Sequence, residues 1–197
     1  TVMNRRTHLK HLLALAALAL LPTASQARGQ ASYPSKPITM IVPFPPGGGA
    51  DLTARLLAEK MGEGLGQPVV VENKPGANGS IGTAAAAAAS PDGYTILMAD
   101  RGALAINPSL YKSLAYDPAK SFAHIGIVTS GPYLLVVNPA LGVTSVADLI
   151  ALAQTKTLAY GSFGIGSMAQ MNFEAFARHA GISLRHVPYQ GAPPAVA

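Results

Sequence analysis

The chain predicts an α/β fold, and three observations carry that expectation. Short apolar runs rich in β-branched residues alternate with stretches of helical spacing from about residue 38 onward. Glycine-rich loops stand where a strand gives way to a helix, at Gly47-Gly48-Gly49, Gly76–Ser80 and Gly161–Ser167. The βαβαβ order then restarts after residue 145, as it does when a second parallel sheet is built.

The first thirty residues stand apart. Arg5, Arg6 and Lys10 precede an unbroken apolar run from Leu12 to Leu21, which Pro22 ends; Ala24-Ser25-Gln26-Ala27 follows. A basic start, a short apolar centre and a small-residue exit are the parts of a secretory signal peptide. The run is too short to span a bilayer comfortably. Residues 1–31 are therefore expected to be signal and cleavage region, with cleavage after Ala27 or Ala31, and the translated chain to start at Met3. The expected location is the periplasm. This segment also holds Arg28, so four of the 14 basic residues lie in it. Without them ten basic residues face nine acidic ones, a net charge of +1. The pI of 9.6 is thus no argument for a nucleic-acid partner, and no basic stripe interleaved with aromatics is found. The chain has no Cys, which removes disulfides, thiol nucleophiles and a lipoprotein anchor.

In the mature part, Ile38–Val42 predicts a buried strand, stopped by Pro43 and Pro45-Pro46 because proline donates nothing to a ladder. Leu52, Leu56, Leu57 and Met61 follow helical spacing, with Asp51 placed at the first turn. Gly47, Gly48 and Gly49 then leave bare N–H groups at the positive end of a helix, a place for an anion. The loop is not a P-loop, and its glycines lack dinucleotide-fingerprint spacing. Pro68–Glu72 predicts a second strand, Ile81–Ala89 an alanine-rich helix, Ser90–Gly93 a turn and Tyr94–Met98 a third strand. The loops at 43–51, 73–80 and 99–107 then fall at the carboxyl edge of one sheet, where ligands bind in such folds.

Residues 108–122 predict irregular chain with one helical turn, and Ile125–Val128 and Tyr133–Val137 predict strands. A crossover between two lobes is placed near Thr129–Pro132, giving lobe one over 32–130 and lobe two over 131–197. In lobe two the spacing predicts a helix over Ser145–Gln154, a strand over Leu158–Tyr160, a helix over Met168–Ala180 and a strand over Leu184–Val187. The second sheet is unfinished where the sequence stops at Ala197, so a longer protein is expected.

Several motifs, in order, carry a resemblance. They are Val42-Pro-Phe-Pro-Pro-Gly-Gly-Gly-Ala-Asp51, Glu72-Asn-Lys-Pro-Gly-Ala-Asn-Gly-Ser-Ile-Gly82, Asp92-Gly93-Tyr94-Thr95, Ile106-Asn-Pro-Ser-Leu-Tyr111, Tyr160-Gly-Ser-Phe-Gly-Ile-Gly-Ser167 and His186-Val-Pro-Tyr-Gln-Gly191. With these the chain resembles the Bug/TctC family, the extracytoplasmic solute receptors of tripartite tricarboxylate transporters. The resemblance implies a type II periplasmic-binding-protein fold: two α/β lobes closing, in a central cleft, over a small organic carboxylate, whether a di- or tricarboxylate, an acidic amino acid or a related acid. It implies no cofactor, and membrane permease subunits as partners.

On that resemblance Phe44, Pro45, Gly47, Gly48, Gly49 and Asp51 line one side of the cleft, and Asn78, Gly79 and Ser80 add donors. Ser162, Gly164, Gly166 and Ser167 face them, while Tyr189 and Phe44 cover the ligand. Two departures stand out. Gln170 occupies a position where the family commonly has His, and Asp100-Arg101-Gly102 replaces small hydroxyl residues. Arg101 is a candidate clamp for a substrate carboxylate. The five His are dispersed without metal spacing, and Gly-x-Ser-x-Gly is absent. No catalytic residue is assigned. The competing readings are an exported α/β enzyme acting on a carboxylate, and a receptor-like sensor module.

Overall fold

The computed structural model describes residues 32–196; the expected signal segment lies outside them. The chain opens on β1 (Ile38–Val42), which is buried along nearly its whole length. It is the middle strand of a three-stranded parallel sheet and is flanked by β2 (Val69–Asn73) and β3 (Thr95–Leu97). Ile38 pairs with Val69 and Met40 with Val71 on one side, and Met40 with Ile96 on the other. A central parallel strand has both faces covered, which explains its unbroken apolar run.

Helix α1 (Gly49–Leu65) links β1 to β2 and packs Ala54 and Ala58 onto Met40 and Val42. The buried seam is therefore alanine, with Leu57 and Met61 beside it. Leu52 and Leu56, counted in the apolar stripe from the sequence, point outward, and Leu56 is 68% exposed. Small residues let the helix lie close to the sheet, and the leucines then fall to its flank. Gly66 ends α1 in the left-handed conformation at φ 68°, its N–H donating to the Gly62 carbonyl.

Helix α2 (Ser80–Ala87) links β2 to β3. A side chain at Gly82 would meet Pro43 Cα at 2.8 Å and the Lys74 carbonyl at 2.7 Å. Glycine there lets the helix start press against the end of β1. Beyond β3 the segment read as loop winds into a wide helical turn over Gly102–Ile106 and then α3 (Asn107–Leu110).

The strands expected at Ile125–Val128 and Tyr133–Val137 do not form among the described residues. Their side chains stand in solvent, with Ile127 91% and Leu134 82% exposed. The apolar, β-branched composition was read correctly, but a strand exists only with a neighbour to complete its hydrogen bonds, and none runs alongside.

Regular structure resumes with α4 (Val146–Thr155). Ser145 and Asp148 form a reciprocal capping box at its start. A second, two-stranded parallel sheet follows, of β4 (Leu158–Ser162) and β5 (Leu184–Pro188), joined by α5 (Met168–Ala180). Leu149, Ala153 and Leu158 form its core with Phe176, Ile182 and Leu184 packed against them. The short α6 (Ala192–Val196) follows β5.

Candidate functional site

The turns at the carboxyl ends of both sheets are built differently, and their construction decides which atoms face outward. After β1, Gly47 takes φ +82°, a conformation only glycine adopts without strain, and its N–H donates to Asp51 Oδ2 at 2.9 Å. Asp51 is 2% exposed. Its carboxylate also accepts from Arg55 Nε at 3.0 Å and from Asn73 Nδ2 at 2.9 Å, and Asn73 donates in turn to the Phe44 carbonyl. Hydrogen bonding from Arg55, and then from Gly47 and Asn73, outweighs burial and holds this carboxyl down at about 2. Asp51 thus sits behind the loop as its clamp.

In front of the clamp, α1 starts at Gly48 with no side-chain cap. The N–H groups of Gly49, Ala50 and Asp51 have no intrahelical partner by helix geometry. Side-chain space around Gly49 is open, and a Cβ on Gly48 would meet only Pro193 Cδ and the Pro45 carbonyl, both at 3.9 Å.

The second turn is strained. Ala77 and Asn78 have φ of 47° and 50°, the left-handed region that non-glycine residues seldom enter. A buried residue holds them there. Asn107, 0% exposed, accepts from Asn78 Nδ2 at 2.8 Å and donates back to the Asn78 carbonyl at 3.0 Å and to Ser80 Oγ at 2.9 Å. Gly79 lies under Phe44, whose Cζ would be 3.5 Å from a Cβ there. In the third turn Asp100 Oδ1 accepts from Ala103 N at 3.0 Å. Burial pushes the Asp100 carboxyl above its ordinary range, against the backbone donors of the turn. Arg101 is exposed and, among the described residues, forms no ion pair, with Asp100 or any other acid.

In the second sheet the Gly161–Ser167 turn is held from behind by Ser162, which is 0% exposed. Its Oγ lies 2.6 Å from His186 Nε2, 3.2 Å from the Gly164 N–H and 3.1 Å from the Gly164 carbonyl. All three contacts are satisfied when Nε2 carries a proton and donates, so that the Ser162 hydroxyl accepts twice and donates to Gly164. His186 stacks on Tyr160, which stacks on Phe173 and donates to Glu174 Oε1 at 2.6 Å. A Ser–His contact invites a hydrolytic reading. This serine is sealed from solvent and tied to both the N–H and the carbonyl of Gly164, which makes it a brace of the turn. Ser167 caps α5, its hydroxyl accepting from Gln170 N at 3.3 Å, and Gln170 Oε1 takes the Gly166 N–H at 2.8 Å. The N–H groups of Met168 and Ala169 remain without an intrahelical partner.

The two sets of turns meet. A Cβ on Gly166 would lie 3.1 Å from Asn78 Nδ2 and would run into Leu110. A Cβ on Gly191 would lie 3.3 Å from Pro45 Cγ, and Tyr189 Cε2 flanks Gly161 at 3.4 Å. Between the two sheets the structure thus brings Asn78 against Gly166, Pro45 against Gly191 and Gly48 near Pro193, while Asp51 and Ser162 stand behind their turns. Sequence reasoning missed Asn107, Asn73 and the Ser162–His186 contact. Only Asn107 left a trace, as an Asn-Pro pair directly after an apolar stretch.

Two parallel α/β sheets joined at glycine turns are the architecture of the periplasmic-binding-protein fold, and solved structures share it. The chain superposes on one titled as a periplasmic transporter with TM-score 0.72 and 39% identity, covering 84% of this chain and 56% of that one. An adipate complex from R. palustris gives TM-score 0.81 at 37% identity, over 83% of this chain and 56% of the other. MatC from Rhodopseudomonas palustris with bound malate gives TM-score 0.75 at 30% identity, over 83% and 56%. The chain belongs to the TctC family, the tripartite tricarboxylate transporter family receptors, whose model matches residues 53–197. Protein BugT of Bordetella pertussis is 42% identical over 168 residues, 84% of this chain and 52% of BugT. A UPF0065 protein of the same organism is 38% identical over 179 residues, 90% of this chain and 55% of that protein. The chain spans about half the length of the curated relatives it matches.

Proposed function

We propose that this chain supplies the ligand-gripping turns of a periplasmic receptor for a small organic carboxylate, which it delivers to the permease of a tripartite transporter. One observation carries the reading. The uncapped start of α1 presents three N–H groups beside a turn from the second sheet, so a carboxylate there would be held by peptide dipoles from two directions. Bound adipate and malate in two structural relatives support the ligand class. Residues 32–130 and 131–197 serve as parts of two lobes, and a ligand touching both favours the closed arrangement. The mechanism proposed is binding and release with no bond made or broken, and the Ser162–His186 contact serves as a buried brace. Each hydrogen bond to a charged oxygen contributes about 1.5–3 kcal/mol, and four or five of them, less the cost of association, permit roughly micromolar affinity.

Calorimetric titration of the full chain with mono-, di- and tricarboxylates tests this. At least one acid should bind, and Gly48→Val should weaken it tenfold or more while leaving the melting temperature within about 2 °C. The space at Gly48 and its φ of −82° tolerate a side chain, so the loss would report covered N–H groups and not a broken fold. Silence from every acid, or unaltered affinity in the variant, would refute the assignment.

A further inference from the structure

We propose that Asn107 is a positioning residue for ligand capture: sealed among the first sheet's turns, it sets the affinity of the cleft through Asn78. The inference rests on the carboxylate-receptor reading above and adds to it a buried residue that acts at one remove. Three turns converge on the Asn78 side-chain amide. Asn78 itself belongs to the second turn of the first sheet. In the third turn, a Cβ on Gly102 would lie 3.0 Å from Asn78 Nδ2 and 3.2 Å from its Oδ1. In the second sheet's turn, a Cβ on Gly166 would lie 3.1 Å from the same Nδ2. Among the described residues Asn78 Nδ2 donates one hydrogen bond, to Asn107 Oδ1 at 2.8 Å, which leaves its second N–H free where the turns of the two sheets meet.

Asn78 keeps that place against its backbone preference. Its φ is 50° and that of Ala77 before it 47°, a region that glycine enters freely and other residues enter at a cost. Asn107 offsets the cost. Its Nδ2 donates to the Asn78 carbonyl at 3.0 Å and to Ser80 Oγ at 2.9 Å while its Oδ1 takes the Asn78 amide, so backbone and side chain are clasped at once. Asn107 is 0% exposed. Tyr116, also buried and fixed to the Ala103 carbonyl at 2.6 Å, backs it with a hydroxyl 3.5 Å from Asn107 Nδ2. A buried amide with both N–H groups and its carbonyl spent on one turn matters most where that turn must not relax. Without Asn107, Asn78 returns toward ordinary backbone and its amide leaves Gly166. A ligand then has to reorder the turn as it binds, and affinity falls by the cost of that ordering.

The test is a double-mutant cycle on the full chain, read by thermal melting and by calorimetry with succinate, malate, adipate and citrate. At a temperature well below its own melting, Asn107→Ala should weaken the tightest of these acids about tenfold or more. Asn78→Gly, which takes the same φ unaided but carries no amide, should weaken it to a similar degree. Combining the two should cost no further affinity, and the melting loss caused by Asn107→Ala should shrink in the glycine background. Asn107→Ser, whose hydroxyl is too short to span the same partners, takes the place of the alanine variant if that variant fails to fold. Unaltered affinity in folded Asn107 variants, affinity losses that multiply in the double variant, or an equal melting loss in both backgrounds overturns the positioning role and leaves the receptor reading standing. Silence from all of these acids in the wild-type chain removes the receptor reading and this inference with it.

Discussion

Asp51 shows how one carboxylate organises a loop it does not expose. It joins the Gly47 amide, Arg55 and Asn73 behind the glycine turn, and these partners exist only for the ionised form. Its folded pKa of about 2 lies below the ordinary 3.8, so ionisation favours the folded state. That contribution is complete above about pH 4 and is lost as the pH falls toward 2; for a shift of this size it is on the order of 2 kcal/mol. Urea unfolding of the wild-type chain should therefore lose midpoint between pH 5 and pH 2.5, and Asp51→Asn should flatten that dependence. A variant with the same acid slope as wild type would show that the clamp lies elsewhere. The sequence placed Asp51 at the helix start correctly. It also counted Asp51 among cleft-lining residues, and nothing local shows that the side chain turns back to Gly47. Side-chain direction depends on Asn73, which arrives from a different strand.

Among elements, those with strong local signals appear where the sequence puts them. The helix Met168–Ala180 has the predicted bounds, because Ser167 caps one end and Gly181 at φ 65° closes the other. Helix α1 exists as read, yet its buried face is Ala54 and Ala58, with Leu52 and Leu56 outside. Periodicity locates a helix; the separation between helix and sheet decides which stripe goes in. The segment from Ile125 to Val137 is the clearest departure. Its composition is that of two strands, and strand formation is a property of pairs. In this 197-residue chain its amides should exchange with deuterium at near-unprotected rates, while those of β1 are protected by orders of magnitude. Slow exchange over 125–137 would mean that the segment has found a ladder partner.

Across the whole molecule, the turns of the two sheets meet where Gly166 lies against Asn78 and Leu110 and where Gly191 lies against Pro45. Gly166 has φ +82° and no room for a methyl group. Gly166→Ala should cost about 1–3 kcal/mol of stability through its positive φ, and it should also loosen carboxylate binding, since the methyl group crowds Asn78 and Leu110. An unchanged melting temperature would show that the two halves do not bear on each other there.

By itself the sequence determined the α/β class, the order of strands and helices within each of the two sheets, the positions of the glycine turns and the family. Those rest on backbone chemistry: proline stops, glycine freedom, caps and apolar spacing act within a few residues. Only the tertiary structure decided that Asn107 holds the strained Asn78 and that Ser162 is a brace held by His186. These are contacts between residues 29 and 24 positions apart, made by packing, and no local pattern encodes them.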